Sequence, residues 1–260
     1  MRDLSSVLFR SRGLDGPSER GLRVDFANAV GKRLRIHLSA VQREAFDEYY
    51  HKLVSIRGRI SLTSLRDRES IERRHFVESL ALLRAVEDAG ALGSPVIDIG
   101  SGAGFPGVPI KIARPDLEMT LVEATEKKAA FLHGLIARLG LAGVRVVHGR
   151  AEDVAREPEQ REAYALAVAR AVAPLPTLVE LALPFVRVGG YLATPKGSAA
   201  AREVREAEKA LRLCGGAVGQ VSKLDVPPPG PAPTMVLVHK VGETPERYPR
   251  RSGVPSKRPL

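Results

Sequence analysis

The chain has 260 residues, 44% hydrophobic and 27% charged, a balance that excludes a disordered chain and suits one large globular domain or a domain with an extension. No apolar run reaches the ~18 residues needed to span a bilayer, the first 16 residues are too charged for a signal peptide, and the single Cys214 excludes an intrachain disulfide or a cysteine-built zinc site. A cytoplasmic protein is expected. The formal net charge of +10 is concentrated on the flanks: residues 1–75 hold 16 Lys and Arg against 10 Asp and Glu, and residues 243–260 hold 5 against 2, so a polyanion such as nucleic acid is an expected partner.

Residues 1–35 carry little pattern. Ser39 and Gln42 form a capping box, followed by Val41, Ala45, Tyr49, Leu53 and Ile56 at helical spacing, with Gly58 as the stop. A second helix is predicted from Asp67 to Val86 with Ile71, Phe76, Leu80 and Leu83 inward. From Val96 the pattern changes to short apolar runs alternating with helices. Strands are predicted at Val96–Ile99, Met119–Val122, Val144–Val147, Ala165–Ala169, Tyr191–Thr194, Val218–Leu224 and Met235–Val241. Helices are predicted at Thr125–Leu139, Thr177–Val186 and Ala199–Leu213. This alternation implies a mostly parallel sheet covered on both faces. The chain divides into a helical region (1–90), a nucleoside-binding α/β domain (91–242) and a basic, proline-rich extended tail (243–260).

The strongest motif is Asp98-Ile99-Gly100-Ser101-Gly102-Ala103-Gly104-Phe105-Pro106-Gly107, between a predicted strand and a helical segment. Ligands of open α/β sheets bind at the carboxyl ends of the strands, where this loop lies. A phosphate-binding loop would end in Gly-Lys-Ser/Thr, which is absent. The dinucleotide fingerprint G-x-G-x-x-G fails when counted from Gly100 but matches through Gly102, Gly104 and Gly107, so that reading stays open. Alternating glycines also suit S-adenosylmethionine (SAM), because a backbone without side chains can approach the methionine and ribose closely. Glu123 ends the next strand, 19 positions after Gly104, where a carboxylate can accept both ribose hydroxyls. Gly149-Arg150-Ala151-Glu152 follows the third strand. Each acid alone is also an ordinary helix N-terminal carboxylate.

The stretch DIGSGAGFPGVPIKIARPDLEMTLVEATEKKAAFL, then GRAED, ARAVAPL and the pair Lys196-Gly197, resembles the glucose-inhibited-division-B family, as does the upstream SLTSLRD…RRHFVESL. The likeness spans residues 38–240. It implies a class I SAM-dependent methyltransferase fold: a Rossmann-like, mostly parallel sheet of seven strands with the last reversed, and a small helical N-terminal extension. It also implies methyl transfer to N7 of a guanine in 16S ribosomal RNA. By the resemblance Gly100, Phe105, Ala151, Glu152 and Arg170 match cofactor contacts, and Glu123, Ala124 and Thr125 match the segment facing ribose and adenine. Asp98, Gly102 and Gly104 join them through the loop motif. Two departures stand out: Glu78 where the family usually has Asp, and Ala232-Pro233-Thr234 where it often has a basic residue.

Candidate RNA contacts are Arg150, Lys127, Lys128, Lys196 and His75, the last on a basic helix face with Arg66, Arg73 and Arg74 that equally suits plain solvation. The six histidines show no metal-ligand spacing, so no metal is expected. The partner implied is the small ribosomal subunit or its precursor, approached by a monomer without a membrane. The rival readings are a SAM methyltransferase acting on a protein or small molecule, and a non-catalytic SAM- or RNA-binding protein.

Overall fold

Four- or five-residue apolar runs are too short for a stable helix but suit central strands buried on both faces. In the structure, a computed structural model that describes residues 26, 28–56, 60, 62, 63, 65 and 67–260, they assemble into one seven-stranded sheet. Its strands are β1 (Val96–Ile99), β2 (Met119–Glu123), β3 (Val144–His148), β4 (Tyr164–Val168), β5 (Val186–Lys196), β6 (Gly216–Lys223) and β7 (Thr234–Lys240). The order is β3-β2-β1-β4-β5-β7-β6. Strands β1 to β5 run parallel, and β7 runs antiparallel to β5 and β6. From β1 the chain winds outward to β2 and β3, then returns to place β4 on the other side. The reversal lies at the carboxyl ends of β1 and β4, where a crevice is expected.

Side chains alternate between the two faces along each strand. Val96, Met119, Leu121, Leu166 and Val168 face one core, while Ile97, Ile99, Val122 and Ala167 face the other. The first core is covered by α1 (Ala40–Ser55), α2, α3 (Gly107–Ala113) and α4 (Glu126–Leu139). Helix α2 starts as Arg68–Ile71, widens into a π-helical stretch at Glu72–Val77 and continues as Glu78–Asp88. The second core is covered by α5 (Ala151–Val154), α6 (Leu175–Ala182), α7 (Ala200–Glu206) and α8 (Glu208–Cys214). Cys214 is buried there, and burial pushes its thiol up to about 12.

The Ser39–Gln42 capping box forms as its sequence implies, and Gly140 and Gly215 end helices in the left-handed conformation. Three expectations change. Val41 is 75% exposed, and Phe46 instead packs inward with Tyr49 and Leu53. Strand β5 runs through Gly189-Gly190, which the sequence suggests as a turn. The third change concerns residues 243–260, expected as an extended tail. Thr244 and Tyr248 are buried, and α9 (Val254–Lys257) packs on α6. Arg161 donates to the carbonyls of Tyr248 (3.0 Å) and Thr244 (2.6 Å). The Arg250 guanidinium grips both oxygens of the fully buried Glu180, at 2.8 and 2.6 Å. These anchors sit 70 or more positions away in the chain, so local spacing of prolines did not betray them. Gly58, Arg66 and residues 1–25 lie outside the described residues.

Candidate cofactor site

Residues 100–106 leave β1 at the strand-order reversal and turn into α3. Glu123, the last residue of β2, ties this loop down. Its Oε2 accepts the Gly102 N–H at 2.9 Å, and its Oε1 accepts the Thr125 N–H at 2.7 Å. The carboxylate is 5% exposed, and each oxygen keeps a further lone pair for a ligand. Gly102 has φ +59°, and a Cβ built on it would meet nothing nearer than the Gly100 carbonyl oxygen at 3.8 Å. Among the described residues the space beside it is therefore open, in contrast to Gly104. There, with φ +101°, a Cβ would come within 2.6 Å of the Tyr49 hydroxyl. Ala124 and Thr125 are exposed beside Glu123.

Asp98 lies under the loop rather than in it. It is fully buried, and its Oδ2 accepts the Gly107 N–H at 2.9 Å. Burial pushes its carboxyl up to about 7, against the lowering effect of that N–H and of Arg170. Its Oδ1 is buried and has no hydrogen-bond partner among the described residues, although the nearby Ser101 hydroxyl also favours the charged form. An acceptor held unpaired beneath an open glycine cradle, with a carboxylate at the cradle's rim, fits a ligand carrying hydroxyl and ammonium donors. S-adenosylmethionine carries both.

The floor comes from the N-terminal helices. Tyr49 of α1 donates to the Ala103 carbonyl (2.6 Å) and stacks on Phe105, with ring centroids 5.2 Å apart. His75 of α2 stacks on Phe105 at 4.5 Å. Arg170, just past β4, lies 4.9 Å from the Phe105 ring centre. Its Nη1 donates to the Arg74 carbonyl (2.8 Å), its Nη2 approaches His75 Nδ1 (3.0 Å), and Glu78 is 3.7 Å away. Burial pushes the His75 imidazole down to about 3, and the Arg170 charge adds to this, so the ring is neutral. His75 is thus a partner of Arg170 inside the fold, not part of an open basic face. The Glu78 that departs from the family pattern pairs with Arg74 at 2.9 Å and lies 3.7 Å from Arg170. Tyr49 was visible in the sequence only as an inward helix residue. A buried tyrosine hydroxyl needs an acceptor, and that requirement was the available signal.

Glu152 is 2% exposed, and its Oε1 accepts the Gly253 N–H at 2.8 Å and lies 3.2 Å from Arg150 Nη2. Burial pushes its carboxyl up, but the Gly253 N–H, its own N–H and the Arg150 guanidinium outweigh burial and hold it below the usual value. Ala151 opens α5 beside it. Glu152 therefore faces the C-terminal segment, a contact the sequence did not foreshadow. Of the expected RNA contacts, Arg150 is 51% exposed and Lys127 is exposed, with Lys128 half-buried. Lys196 is turned inward: its Nζ donates to the Ala173 carbonyl (2.7 Å) and pairs with Glu203 (3.0 Å), leaving the side chain 9% exposed. The two acceptors next to the turn outcompete solvent for it, so it offers no free cation to RNA.

A sheet ordered in this way, with its seventh strand reversed and a glycine loop at the switch point, is the class I SAM-dependent methyltransferase fold. Within that class the chain belongs to the family described as rRNA small subunit methyltransferase G, whose sequence model matches residues 42–227. It is 42% identical over 231 residues to the ribosomal RNA small subunit methyltransferase G of Pelotomaculum thermopropionicum, covering 88% of this chain and 95% of that one. The corresponding protein of Chloroflexus aggregans is 44% identical over 247 residues, 95% of this chain and 100% of its own length. Among solved structures, a branched-chain polyamine synthase mutein from Thermus thermophilus superposes with a TM-score of 0.53 over 77% of this chain and 64% of that one. At 11% identity that likeness is one of fold.

Proposed function

We propose that this protein transfers a methyl group from S-adenosylmethionine to N7 of a guanine in 16S ribosomal RNA, acting as a cytoplasmic monomer on the small subunit or its precursor. In this reading residues 91–242 hold the cofactor, flanked by the helical region 1–90 and the basic segment 243–260. The observation that carries it is the junction of Glu123 with the open Gly102, in a chain whose relatives are named as small-subunit rRNA methyltransferases.

S-adenosylmethionine would supply a methyl group on a positively charged sulfur, which leaves as a neutral thioether. Glu123 is assigned to the ribose hydroxyls, the backbone around Gly100, Gly102 and Gly104 to close approach, and Arg170 and Phe105 to the reacting end. Guanine N7 carries an in-plane lone pair and no proton at neutral pH, so the acceptor needs no general base. The protein's work is then alignment and placement of charge. N7 faces the deep, narrow groove of an RNA helix, so the target nucleotide belongs in a loop or splayed from its stack. Arg150 and Lys127 are assigned to phosphate.

The test offers purified protein and methyl-labelled S-adenosylmethionine to intact small subunits, naked 16S RNA, free nucleosides and a cell extract. Label in 7-methylguanine of 16S RNA is the expected result. Label only in protein or small molecules would refute the RNA assignment, and binding without transfer would favour a non-catalytic module.

A further inference from the structure

We infer that His75 is a positioning residue, which together with the Arg74 carbonyl fixes the guanidinium of Arg170 over Phe105 at the carboxyl edge of the sheet. The inference rests on the reading above that Arg170 and Phe105 serve the cofactor.

The hydrogen bonds leave one arrangement for the ring. Nδ1 lies 3.0 Å from Arg170 Nη2 and 3.2 Å from the Arg74 carbonyl oxygen. An arginine has no lone pair to accept with and keeps its protons, so Nδ1 is the acceptor in the first contact, and its approach to the Arg74 carbonyl oxygen is then a close contact and not a hydrogen bond. The ring proton then sits on Nε2, 2.7 Å from Thr63 Oγ1, to which it donates. That oxygen also accepts the Leu65 N–H at 3.1 Å, which fixes it in place. The chain of contacts runs from Thr63 through the imidazole to the guanidinium.

The rings add a second constraint. His75 stacks on Phe105, the same ring that Arg170 lies over, so one residue sets both neighbours. The backbone at Arg170 is itself held unusually. Ala171 has φ +57°, a conformation a residue with a Cβ rarely adopts. Val172 packs where a Cβ on Gly100 would come within 2.9 Å. Among the described residues two of Arg170's five donors are taken, by Arg74 and His75, and Glu78, which pairs more closely with Arg74 (2.9 Å), lies 3.7 Å away. The remaining donors are free to serve a ligand once the guanidinium is held still.

The test measures SAM binding by calorimetry and methyl transfer to small subunits, using the full chain and checking folding by thermal unfolding. His75→Phe keeps a ring against Phe105 but removes the acceptor. SAM affinity should fall about tenfold, the scale of a lost hydrogen bond to a charged group. His75→Asn puts an oxygen where Nδ1 stands and should bind within about threefold of the parent. His75→Gln keeps a donor for Thr63 but not the acceptor for Arg170, and should bind more weakly than His75→Asn. In an Arg170→Ala background, His75→Phe should add no further loss. Parental affinity in His75→Phe, losses that multiply in the double variant, or Gln outperforming Asn would overturn the inference. If Arg170→Ala alone binds and transfers like the parent, the cofactor reading of Arg170 fails and takes this inference with it. If Arg170→Ala is impaired while His75→Phe is not, only the role of His75 falls.

Discussion

Tyr49 and Ala103 are 54 residues apart, yet the tyrosine hydroxyl donates to the alanine carbonyl at 2.6 Å with both groups buried. The bond joins the first described long helix to the loop proposed to cradle the ligand, so the helical extension frames that loop. Tyr49→Phe keeps the stack on Phe105 but leaves that carbonyl without its partner. We expect a loss of about 1–2 kcal/mol in unfolding free energy, measured by urea titration. A loss below a few tenths would show that the loop finds another donor.

Gly102 tests the cradle directly. Space beside it is open in the protein, so Gly102→Val should fold, at a strain cost of roughly 1–2 kcal/mol for a left-handed backbone. The branched side chain would occupy the ligand's place. SAM affinity should fall at least about a hundredfold, ~2.7 kcal/mol. Calorimetric titration of folded variant protein decides: unchanged binding would put the ligand elsewhere.

Asp98 and His75 should make opposite contributions to stability as pH changes. Burial pushes the Asp98 carboxyl from its ordinary 3.8 up to about 7. Its contribution is complete below about pH 4 and is lost as pH rises toward 7. Burial and then the Arg170 charge push His75 from 6.5 down to about 3. Its contribution is complete above about pH 6.5 and is lost as pH falls toward 3. The two oppose each other between about pH 4 and 6.5, each worth at most roughly 5 kcal/mol over its full range. Asp98→Asn should therefore lose stability more steeply than the parent on acidification from pH 6.5. His75→Asn should lose it more steeply on raising pH from 4 to 7. Parallel stability-versus-pH curves for parent and both variants would contradict this.

Arg250 is the anchor of the C-terminal segment. Arg250→Ala would remove the guanidinium from the fully buried Glu180 carboxylate and leave it the backbone N–H of residue 250. Losing one partner of such a pair costs about 3–5 kcal/mol. Adding Glu180→Gln should recover part of that, because the buried group is then neutral. Scanning calorimetry of the single and double variants reads both effects. A double variant less stable than Arg250→Ala would count against a buried charge as the cause.

What could be read from the chain beforehand followed from local physics. Buried parallel strands announce themselves as brief apolar runs, and the predicted and observed bounds of β1 coincide at Val96–Ile99. The Gly102–Glu123 pair could be anticipated because both residues stand at adjacent strand ends. Gly189-Gly190 has turn chemistry, which shortens the predicted strand, and β5 passes through the pair as a register shift, its pairing with β4 resuming at Tyr191 opposite Leu166. Val41 reads as inward because its spacing fits the helical face almost as well as Phe46 does. The harder cases were partners far away in sequence. Lys196 looks like a free cation until Glu203 and the Ala173 carbonyl are beside it, and His75 looks like a surface base until Arg170 arrives from 95 residues downstream.

The bond between Glu152 and the Gly253 N–H spans 101 positions. During synthesis the corner after β3 must therefore wait, its acid held only by Arg150 and its own N–H, until about a hundred more residues have been added. The glycine cradle and its Glu123 tether, separated by only 21 positions, can close long before that. One side of the crevice can thus be finished early in translation, and the other only when the last stretch of chain arrives.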